Sequence, residues 1–408
     1  MNCKLNDDQP PTIFCLLDLH PEMHNLILPH WYNFTIPDPL HNYLAGIFIG
    51  LIGVLGVAEN LLVITIFFTG KSLRKPSNLF VINLAISDCG FSLINGFPLK
   101  SIAAFRQHWP WGQSACTLYG FCSGLFGFGS LSTMAVMSLE RYCTIVRGGG
   151  RELCSTYGYA IRIILTIWIW SFLWSALPLF GIGRYVLEGY QTSCTFDYLS
   201  NDLQNWIFNA GLFVCGFLFP VMMIVFCYTK ILLFIRNTKD ELMKVTRGKS
   251  KKGQPRYTSD KRRADLEATK SVAILILLFL MAWTPYATVS ALSIVGHREH
   301  LTPIITELPC MFAKTAAVYD PIVYAIKFPK FRKELSIRYR IFRFCAPKTR
   351  MRQNPTVVEK IRFERSPSSC YSADAEEGDC YKMSVRGVNP PSLSGISGCL
   401  PVSTDSEQ

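Results

Sequence analysis

The residues with the clearest chemical potential are charged side chains inside otherwise apolar stretches. Lys314 lies roughly a dozen residues, or about 18 Å of helical rise, from either end of one such stretch. Its ammonium cannot snorkel to the interface over that distance, and holding it in hydrocarbon costs on the order of 3 kcal/mol. Two interpretations stay open. Lys314 is either a structural lysine paired across a helix bundle, or a lysine kept for its amine, as in Schiff-base chemistry with an aldehyde ligand.

Four carboxylates occupy similar apolar stretches and are further candidates for function, because ionisable groups inside a membrane are costly. They are Glu59, Asp88, Glu307 and Asp320. Glu307 precedes Lys314 by two helical turns and shares its face, which makes it a reserve partner for the lysine. We favour the alternative that Glu307 is solvated near the outer mouth of the bundle.

Membrane-spanning helices must position these groups. The 408-residue chain is 50% hydrophobic and only 17% charged, which excludes an ordinary soluble enzyme or a disordered scaffold. The formal net charge of +12 does not indicate nucleic-acid binding, because basic residues between spans fix topology and contact anionic lipid. Seven apolar stretches can cross about 30 Å of hydrocarbon as helices. They lie near residues 43–69, 78–100, 113–143, 158–182, 205–235, 266–296 and 301–327.

The loops indicate the orientation of this all-α membrane protein. Lys and Arg cluster after the first, third, fifth and seventh spans, so the positive-inside rule predicts a cytoplasmic C-terminus and an extracellular N-terminus. Asn33 begins a glycosylation sequon on the predicted outer side. No cleavable signal peptide is visible, and the first span is expected to act as the signal anchor. A multi-pass protein of the plasma membrane is therefore predicted.

Cysteines add one predicted constraint and one predicted modification. Cys116 begins the third span at its outer end and Cys194 lies in the loop before the fifth, so a disulfide between them is predicted on the oxidising side. Cys345 follows a short basic amphipathic helix near residues 329–344, which we expect to lie on the inner membrane surface. A palmitoyl group on Cys345 is predicted there.

The spans carry, in order, a set of markers by which the chain resembles the rhodopsin-like G-protein-coupled receptors, and within them the opsins. The match covers about residues 40–345. The markers are Asn60, Asp88, Glu140-Arg141-Tyr142, Trp168, Pro220 with Tyr228, Trp283-Thr284-Pro285-Tyr286, and Asp320-Pro321-Ile322-Val323-Tyr324. The resemblance implies a seven-transmembrane-helix bundle with a short amphipathic eighth helix.

The opsin resemblance rests on Lys314 in Phe312-Ala313-Lys314-Thr315 and implies that this lysine holds retinal, 11-cis or all-trans, as a Schiff base. A buried cation of this kind needs an anion. Vertebrate visual pigments have a Glu where Tyr119 stands, so Glu188, which matches the loop carboxylate of most invertebrate opsins, is the predicted counterion. The resemblance assigns the remaining pocket positions to Gly124, Gly127, Tyr198, Phe213, Trp283 and Tyr286.

The resemblance also implies the activity of a light-sensing receptor, not an enzyme, that activates a heterotrimeric G protein. Segments such as Asn95-Gly96-Phe97-Pro98-Leu99 are similar to rhabdomeric opsins and melanopsins, which favours the Gq class. The expected switch pairs Arg141 with Asp265 and releases that pair on activation. The predicted switch residues are Glu140, Arg141, Tyr142, Asp265, Asp320 and Tyr324.

Two departures from the family pattern bear on coupling. Asp320 stands where the family usually has Asn, and Arg147-Gly148-Gly149-Gly150 lacks the Pro common in this loop. Three other functions fit these residues less well. A retinal photoisomerase would not need Glu140-Arg141-Tyr142, a receptor for a diffusible ligand would not need Lys314, and a transporter or channel would be expected to show internal repeats.

The predicted domain organisation has three parts. Residues 1–42 form an extracellular segment, residues 43–345 the seven-helix domain, and residues 346–408 a disordered cytoplasmic tail rich in Ser, Pro, Gly and acidic residues. Serines of the tail, from Ser366 to Ser372, resemble sites for a receptor kinase and arrestin. The sequence leaves the oligomeric state open.

Overall fold

Apolar stretches in hydrocarbon become helices because each backbone N–H must find its acceptor within its own segment. The computed structural model describes residues 11–147, 156–248, 256–339, 362–365 and 381–384. The helices are α1 (Cys15–Leu19), α2 (Pro39–Thr69), α3 (Asn78–Asn95), α4 (Leu99–Arg106), α5 (Gly112–Val146), α6 (Tyr157–Ala176), α7 (Leu203–Gly211), α8 (Phe219–Gly248), α9 (Arg256–Ile294), α10 (Pro303–Lys314), α11 (Ala316–Lys327) and α12 (Pro329–Arg338).

Six described helical segments are long and apolar enough to cross a membrane. They are Pro39–Thr69, Asn78–Arg106, Gly112–Val146, Tyr157–Phe180, Leu203–Thr238 and Asp265–Ile294. The seventh span of the bundle is divided into α10 and α11, which meet at Thr315. The predicted seven-helix bundle is confirmed, and the predicted seventh span at 301–327 differs chiefly in this break beside Lys314.

Proline explains a contact that holds the seventh span to the first. Pro321 has no backbone N–H, so the carbonyl of Ala317 one turn earlier loses its helical donor. The buried side chain of Asn60 on α2 supplies a replacement and donates to this carbonyl at 2.9 Å. The Asn60 amide also donates to Gly56 O at 2.8 Å, so one side chain joins two helices in the core.

The fifth span contains a π-helical segment, Leu212–Leu218, between α7 and α8. Pro220 lies two residues after its last residue, Leu218, and cannot donate to the carbonyl of Gly216. The wider π turn redirects Phe213 and Gly216 relative to a regular helix, and both line the cavity described below.

One end of the bundle, here called the hairpin end, is covered by chain outside the helices. Strands β1 (Tyr185–Leu187) and β2 (Cys194–Phe196) pair antiparallel, with Leu187 opposite Cys194. A disulfide joins Cys194 to Cys116 at the start of α5, which confirms the predicted pair. The N-terminal segment from residue 11 to 38 packs onto this hairpin: Leu187 N donates to Leu26 O at 2.9 Å, and Trp31 is fully buried.

The other end, here called the α12 end, carries the short helix α12. Phe331 and Leu335 are buried one turn apart, while Lys330 and Lys333 are exposed, as an amphipathic helix requires. The predicted helix near 329–344 is therefore described as far as Arg338.

Residues Lys348–Gln408 form a separate unit. Its described residues are two strands, β3 (Arg362–Arg365) and β4 (Tyr381–Ser384), which pair antiparallel. The domain organisation predicted from the sequence, with a disordered tail at 346–408, stays a prediction. Cys345, the glycines after Arg147 and the serines from Ser366 to Ser372 lie outside the described residues, so the predictions made for them stay predictions.

Candidate ligand pocket

A cavity of about 130 Å³ lies inside the bundle beneath the hairpin. Residues of α3, α5, the π segment, α9 and α10 form its walls, and the hairpin residues Cys194, Thr195 and Phe196 contribute to its lining. Most side chains around the cavity are apolar or aromatic, and Glu188 and Lys314 are the charged residues that line it. A mostly apolar site with a few polar groups is typical of small-molecule pockets.

Lys314 is the last residue of α10, at the point where the seventh span breaks. Its ammonium donates to Cys310 Sγ at 3.0 Å and lies 5.8 Å from the ring centroid of Tyr119. No described carboxylate lies within 4.0 Å of Lys314 Nζ. The alternative of a structural lysine closed in an ion pair is therefore not supported, and the amine faces the cavity.

Aromatic side chains of α9 and the hairpin surround the cavity. Trp283 and Tyr286 are in edge contact, with ring centroids 6.3 Å apart. Tyr286 bonds through its hydroxyl to Thr195 and meets Tyr198 edge-on at 6.5 Å. On the side away from the hairpin, Trp283 stacks on Phe279 at 5.6 Å. These rings give an apolar ligand flat surfaces of fixed orientation.

Two glycines of α5 keep space open. A Cβ on Gly124 would lie 2.9 Å from the ring of Phe196 and 2.8 Å from Ser175 Oγ, closer than real contacts allow. A Cβ on Gly127 would lie 3.2 Å from the indole of Trp283. A larger residue at either position would press on the aromatic wall, so both glycines preserve the shape of the cavity.

Glu188 lies in the turn of the hairpin and is 1% exposed. Its backbone N–H donates to Ser193 O at 2.9 Å, and its Oε2 accepts from Ser193 Oγ at 3.4 Å. The Cys310 thiol interacts with the carboxylate, yet Oε1 meets no hydrogen-bond donor among the described residues. Burial raises the pKa of Glu188 above its ordinary value, the Lys314 ammonium opposes this rise, Glu307 adds to it and Lys100 opposes it.

Glu307 is not solvated, so the interpretation we favoured from the sequence is wrong. Its side chain is 1% exposed and forms an ion pair with Lys100 of α4, which is 0% exposed. Lys100 Nζ also donates to Ser193 Oγ at 3.0 Å. Lys100 escaped the sequence reasoning because it ends the second predicted span, where a lysine usually snorkels to water. The sequence does contain one indication of this pair: Glu307, of opposite charge, lies near the same end of the seventh span.

The predicted switch residues lie towards the α12 end. Arg141 pairs with its neighbour Glu140 at 2.5 Å, and Thr144 donates to Glu140 at 3.3 Å. The described ion pair of Arg141 is thus with Glu140, and its pairing with Asp265 stays a prediction. Tyr142 lies 6.0 Å from Phe226, ring to ring.

Two acids are buried together in the middle of the bundle. Asp88 accepts from Ser130 at 2.7 Å, and its carboxyl group interacts with that of Asp320. Tyr324 is fully buried and meets Phe328 edge-on at 5.2 Å. The Asp that replaces the usual family Asn therefore faces a second acid.

The structure brings together most of the residues that the sequence assigned to a pocket. The predicted residues that line the cavity are Gly124, Gly127, Glu188, Tyr198, Phe213, Trp283, Tyr286 and Lys314. Tyr119 does not line it but packs on Trp109 and lies beside the Lys314 ammonium. Three further lining residues, Cys310, Phe279 and Ser290, were not predicted. Their residue types are common in any membrane helix, and none of them belongs to a recognised motif.

Comparison with known proteins agrees with this arrangement. The model of the family described as 7 transmembrane receptor (rhodopsin family) matches residues 59–324. Rhodopsin of Enteroctopus dofleini is 41% identical over 314 residues, which are 77% of this chain and 69% of that protein. The GQ-coupled rhodopsin of Mizuhopecten yessoensis is 37% identical over 83% of this chain and 68% of its own length.

A solved structure is similar as well. The crystal structure of squid rhodopsin superimposes with a TM-score of 0.72 at 38% identity and covers 79% of this chain and 92% of that one. The chain belongs to the rhodopsin family of seven-transmembrane receptors.

Proposed function

We propose that this protein is a light-sensing G-protein-coupled receptor that binds retinal covalently through Lys314. The observation that carries the proposal is the buried amine of Lys314 facing an apolar cavity with no described carboxylate within 4.0 Å. Such an amine has little structural use but is suited to condense with an aldehyde. The rhodopsins among its relatives support the same conclusion.

The chain's own residues fit retinal. The cavity walls are aromatic and apolar, which suits a polyene, and Gly124 and Gly127 leave it room. Trp283 Nε1 and Glu188 Oε1 are buried without a hydrogen-bond partner among the described residues, although both belong to cavity-lining side chains. Unpaired buried polar atoms are costly, so their presence in the wall supports a site built for a ligand.

Retinal bound at Lys314 supplies a double bond that light isomerises. Glu188 supplies the negative charge that a cation at Lys314 needs in a low-dielectric pocket. Trp283 and Tyr286 hold the ligand from the side of α9, and Pro285 between them weakens that helix at one point. A change in the shape of the ligand would therefore push on α9 at the point where this helix bends most easily.

Signal transfer to the α12 end is proposed to run through α9. Trp283 stacks on Phe279 one turn further from the hairpin, so displacement of the indole displaces the next ring. Outward motion of α9 opens a cleft for the G protein, with Arg141 exchanging its partner as the two states interconvert. Glu140, Tyr142, Asp265, Asp320 and Tyr324 are the accompanying switch residues.

The partner is proposed to be a heterotrimeric G protein of the Gq class, supported by the GQ-coupled relative. The protein is multi-pass, and we propose that its N-terminus lies outside and its C-terminus in the cytoplasm of the plasma membrane. Asn33 is exposed, as glycosylation requires. Palmitoylation of Cys345 and binding of arrestin and a receptor kinase to the tail complete the proposal.

The test is a dark-minus-light absorption difference spectrum of the purified full-length protein incubated with 11-cis-retinal. Lys314→Ala is measured beside it, with Lys330→Ala as a matched control at an exposed lysine. Borohydride reduction followed by peptide mass spectrometry reads the attachment site independently of colour. We expect a visible band and a retinyl mass on the Lys314 peptide in the parent and the control, and neither in Lys314→Ala.

Nucleotide exchange on purified Gq and Gi is measured with the same preparations. A pigment that accelerates exchange on Gq in light supports the whole proposal. A pigment without exchange on any G protein would favour a photoisomerase, and a covalent pigment in Lys314→Ala would contradict the assigned attachment site.

A further inference from the structure

A second buried lysine, Lys100, is linked to Glu188 through the hydroxyl of Ser193. Lys100 and Glu307 are both buried and join α4 to α10 by an ion pair. Buried ion pairs are weak stabilisers, because the desolvation of both charges offsets their attraction, and apolar residues of similar size often serve as well. Stabilisation of the contact between α4 and α10 therefore does not fully explain why this ion pair is present.

The hydrogen bonds around Lys100 have a fixed direction. The ammonium can only donate, so Ser193 Oγ accepts from it at 3.0 Å. The single hydroxyl proton of Ser193 is then free to point at Glu188 Oε2, 3.4 Å away. A hydroxyl that accepts from a cation is a stronger donor, so the chain from Lys100 through Ser193 favours the charged form of Glu188.

Resting on the retinal function proposed above, we infer that Lys100, Ser193 and Glu307 are positioning residues for the counterion. Lys100 and Ser193 hold Glu188 ionised through its Oε2, Glu307 holds Lys100 in place, and the Oε1 atom of Glu188 is left without a donor and available to a cation at Lys314. Lys100 supplies the polarising charge, and Glu307 neutralises Lys100 so that the pocket does not carry an excess cation. Ser193 connects the pair to Glu188.

Shape and charge support this role. A Cβ on Gly189, the residue after Glu188, would lie 2.6 Å from both Pro303 Cα and Thr306 Oγ1, so the hairpin turn is seated directly on α10. Two ammonium groups, Lys100 and Lys314, and two carboxylates, Glu188 and Glu307, share one buried region and balance in charge. Four other titratable groups interact with Glu188. They are Tyr119 of α5, Tyr198 at the end of the hairpin, Tyr286 of α9 and Cys310 of α10.

The experiment is an acid titration of the visible band of the full-length pigment regenerated with 11-cis-retinal. Protonation of the counterion removes a negative charge from beside the cation, which lowers the excitation energy and moves the band to longer wavelength. Glu188→Gln identifies this acid transition by abolishing it. The informative variants are Ser193→Ala, Lys100→Met and Glu307→Gln, with exposed Lys330→Met and Glu267→Gln as matched controls.

The variants are expected to shift the pH of the acid transition in different directions. Ser193→Ala removes the donor, and Lys100→Met removes a cation and leaves Glu307 unpaired, so both move the transition to higher pH. Glu307→Gln removes a repelling carboxylate and leaves Lys100, so it moves the transition to lower pH. Each shift is expected to be on the order of one pH unit, a tenfold change in proton affinity. The controls are expected to leave the transition where it is in the parent.

A merely structural ion pair predicts a different result. It would lower the melting temperature of the retinal-free protein in Lys100→Met and Glu307→Gln but leave the acid transition of every pigment that forms unchanged. That result, or shifts of the same sign in these two variants, would overturn the inference. If Lys100→Met fails to fold, the acid transitions of Ser193→Ala and Glu307→Gln are sufficient to test the inference. Failure of the parent to form any band would instead refute the retinal function and the inference with it.

Discussion

One ion pair at the hairpin end is built differently from the ion pairs described at the α12 end. At the hairpin end, Lys100 and Glu307 are buried, 207 residues apart, and lie on different helices. At the α12 end, the described ion pairs join residues of one helix: Arg141 with adjacent Glu140, and Lys270 with Glu267 three residues earlier. Breaking a pair of the first kind disconnects two helices, whereas breaking one of the second kind leaves helix packing intact.

The difference suits a receptor in which one end holds a ligand and the other end opens. The hairpin end is further fixed by the disulfide and by the packed segment 11–38. The described ion pairs of α5 and α9 at the α12 end each lie within one helix, so these two helices can separate without breaking them. Variants that remove single contacts test this contrast through the stability of the retinal-free protein.

The largest effect is expected for Lys100→Met. It leaves the Glu307 carboxylate buried without its cation, which typically costs about 3–5 kcal/mol of unfolding free energy. The measurement is thermal unfolding in detergent followed by tryptophan fluorescence. The double variant Lys100→Met/Glu307→Met is the matched control, because it removes both charges and is expected to recover most of the loss. A double variant as unstable as the single one would contradict this account.

Removal of the disulfide by Cys116→Ala/Cys194→Ala is expected to come next. The bond closes a loop with a sequence separation of 78 residues, and its loss should cost about 2–4 kcal/mol. The same unfolding assay measures the change, with Cys122→Ala as the control at a free and only partly buried cysteine. Equal melting temperatures for the two proteins would show that the hairpin end does not depend on this bond.

Asn60→Ala is expected to have an intermediate effect in the middle of the bundle. It leaves the Ala317 carbonyl, already deprived of a donor by Pro321, buried and unpaired, which costs about 1–3 kcal/mol. Thr65→Ala on the same helix is the control, because the exposed hydroxyl of Thr65 bonds only to Leu61 O of its own helix. The idea is wrong if both substitutions lower the melting temperature equally.

The smallest effect is expected at the α12 end for Glu267→Gln. Both partners of its pair with Lys270 are more than half exposed, so solvent screens the attraction and the loss should be about 0.5 kcal/mol or less. A titration with salt checks the cause: the difference from the parent should vanish at high ionic strength. A change as large as that of Asn60→Ala would contradict the contrast between the two ends.

The sequence was sufficient for features that depend on local composition. Length and apolar character located the seven spans, and the markers of a known family located Lys314, Trp283 and Tyr286 in one pocket. The break in the seventh span beside Lys314 was not predicted, because an apolar stretch looks the same whether its helix is continuous or divided.

Contacts between distant residues were harder to predict. The pair of Lys100 and Glu307 depends on how α4 and α10 are placed, and each residue alone resembles an interfacial charge. Packing of the segment 11–38 was missed for a related reason: its apolar residues are too few and irregularly spaced to form a span, and they become a core only against Trp109, Val186 and Leu301.

The cover at the hairpin end also bears on how a ligand arrives. Leu26, Trp31 and Leu187 seal the described part of that end with buried apolar contacts, so a direct route from the aqueous phase would require them to separate. A ligand as lipophilic as a polyene aldehyde dissolves in the bilayer and meets the bundle from its sides. The concentration that governs loading of the pocket is then the concentration in hydrocarbon, and loading should respond to the volume and composition of the lipid phase more than to the amount added to the buffer.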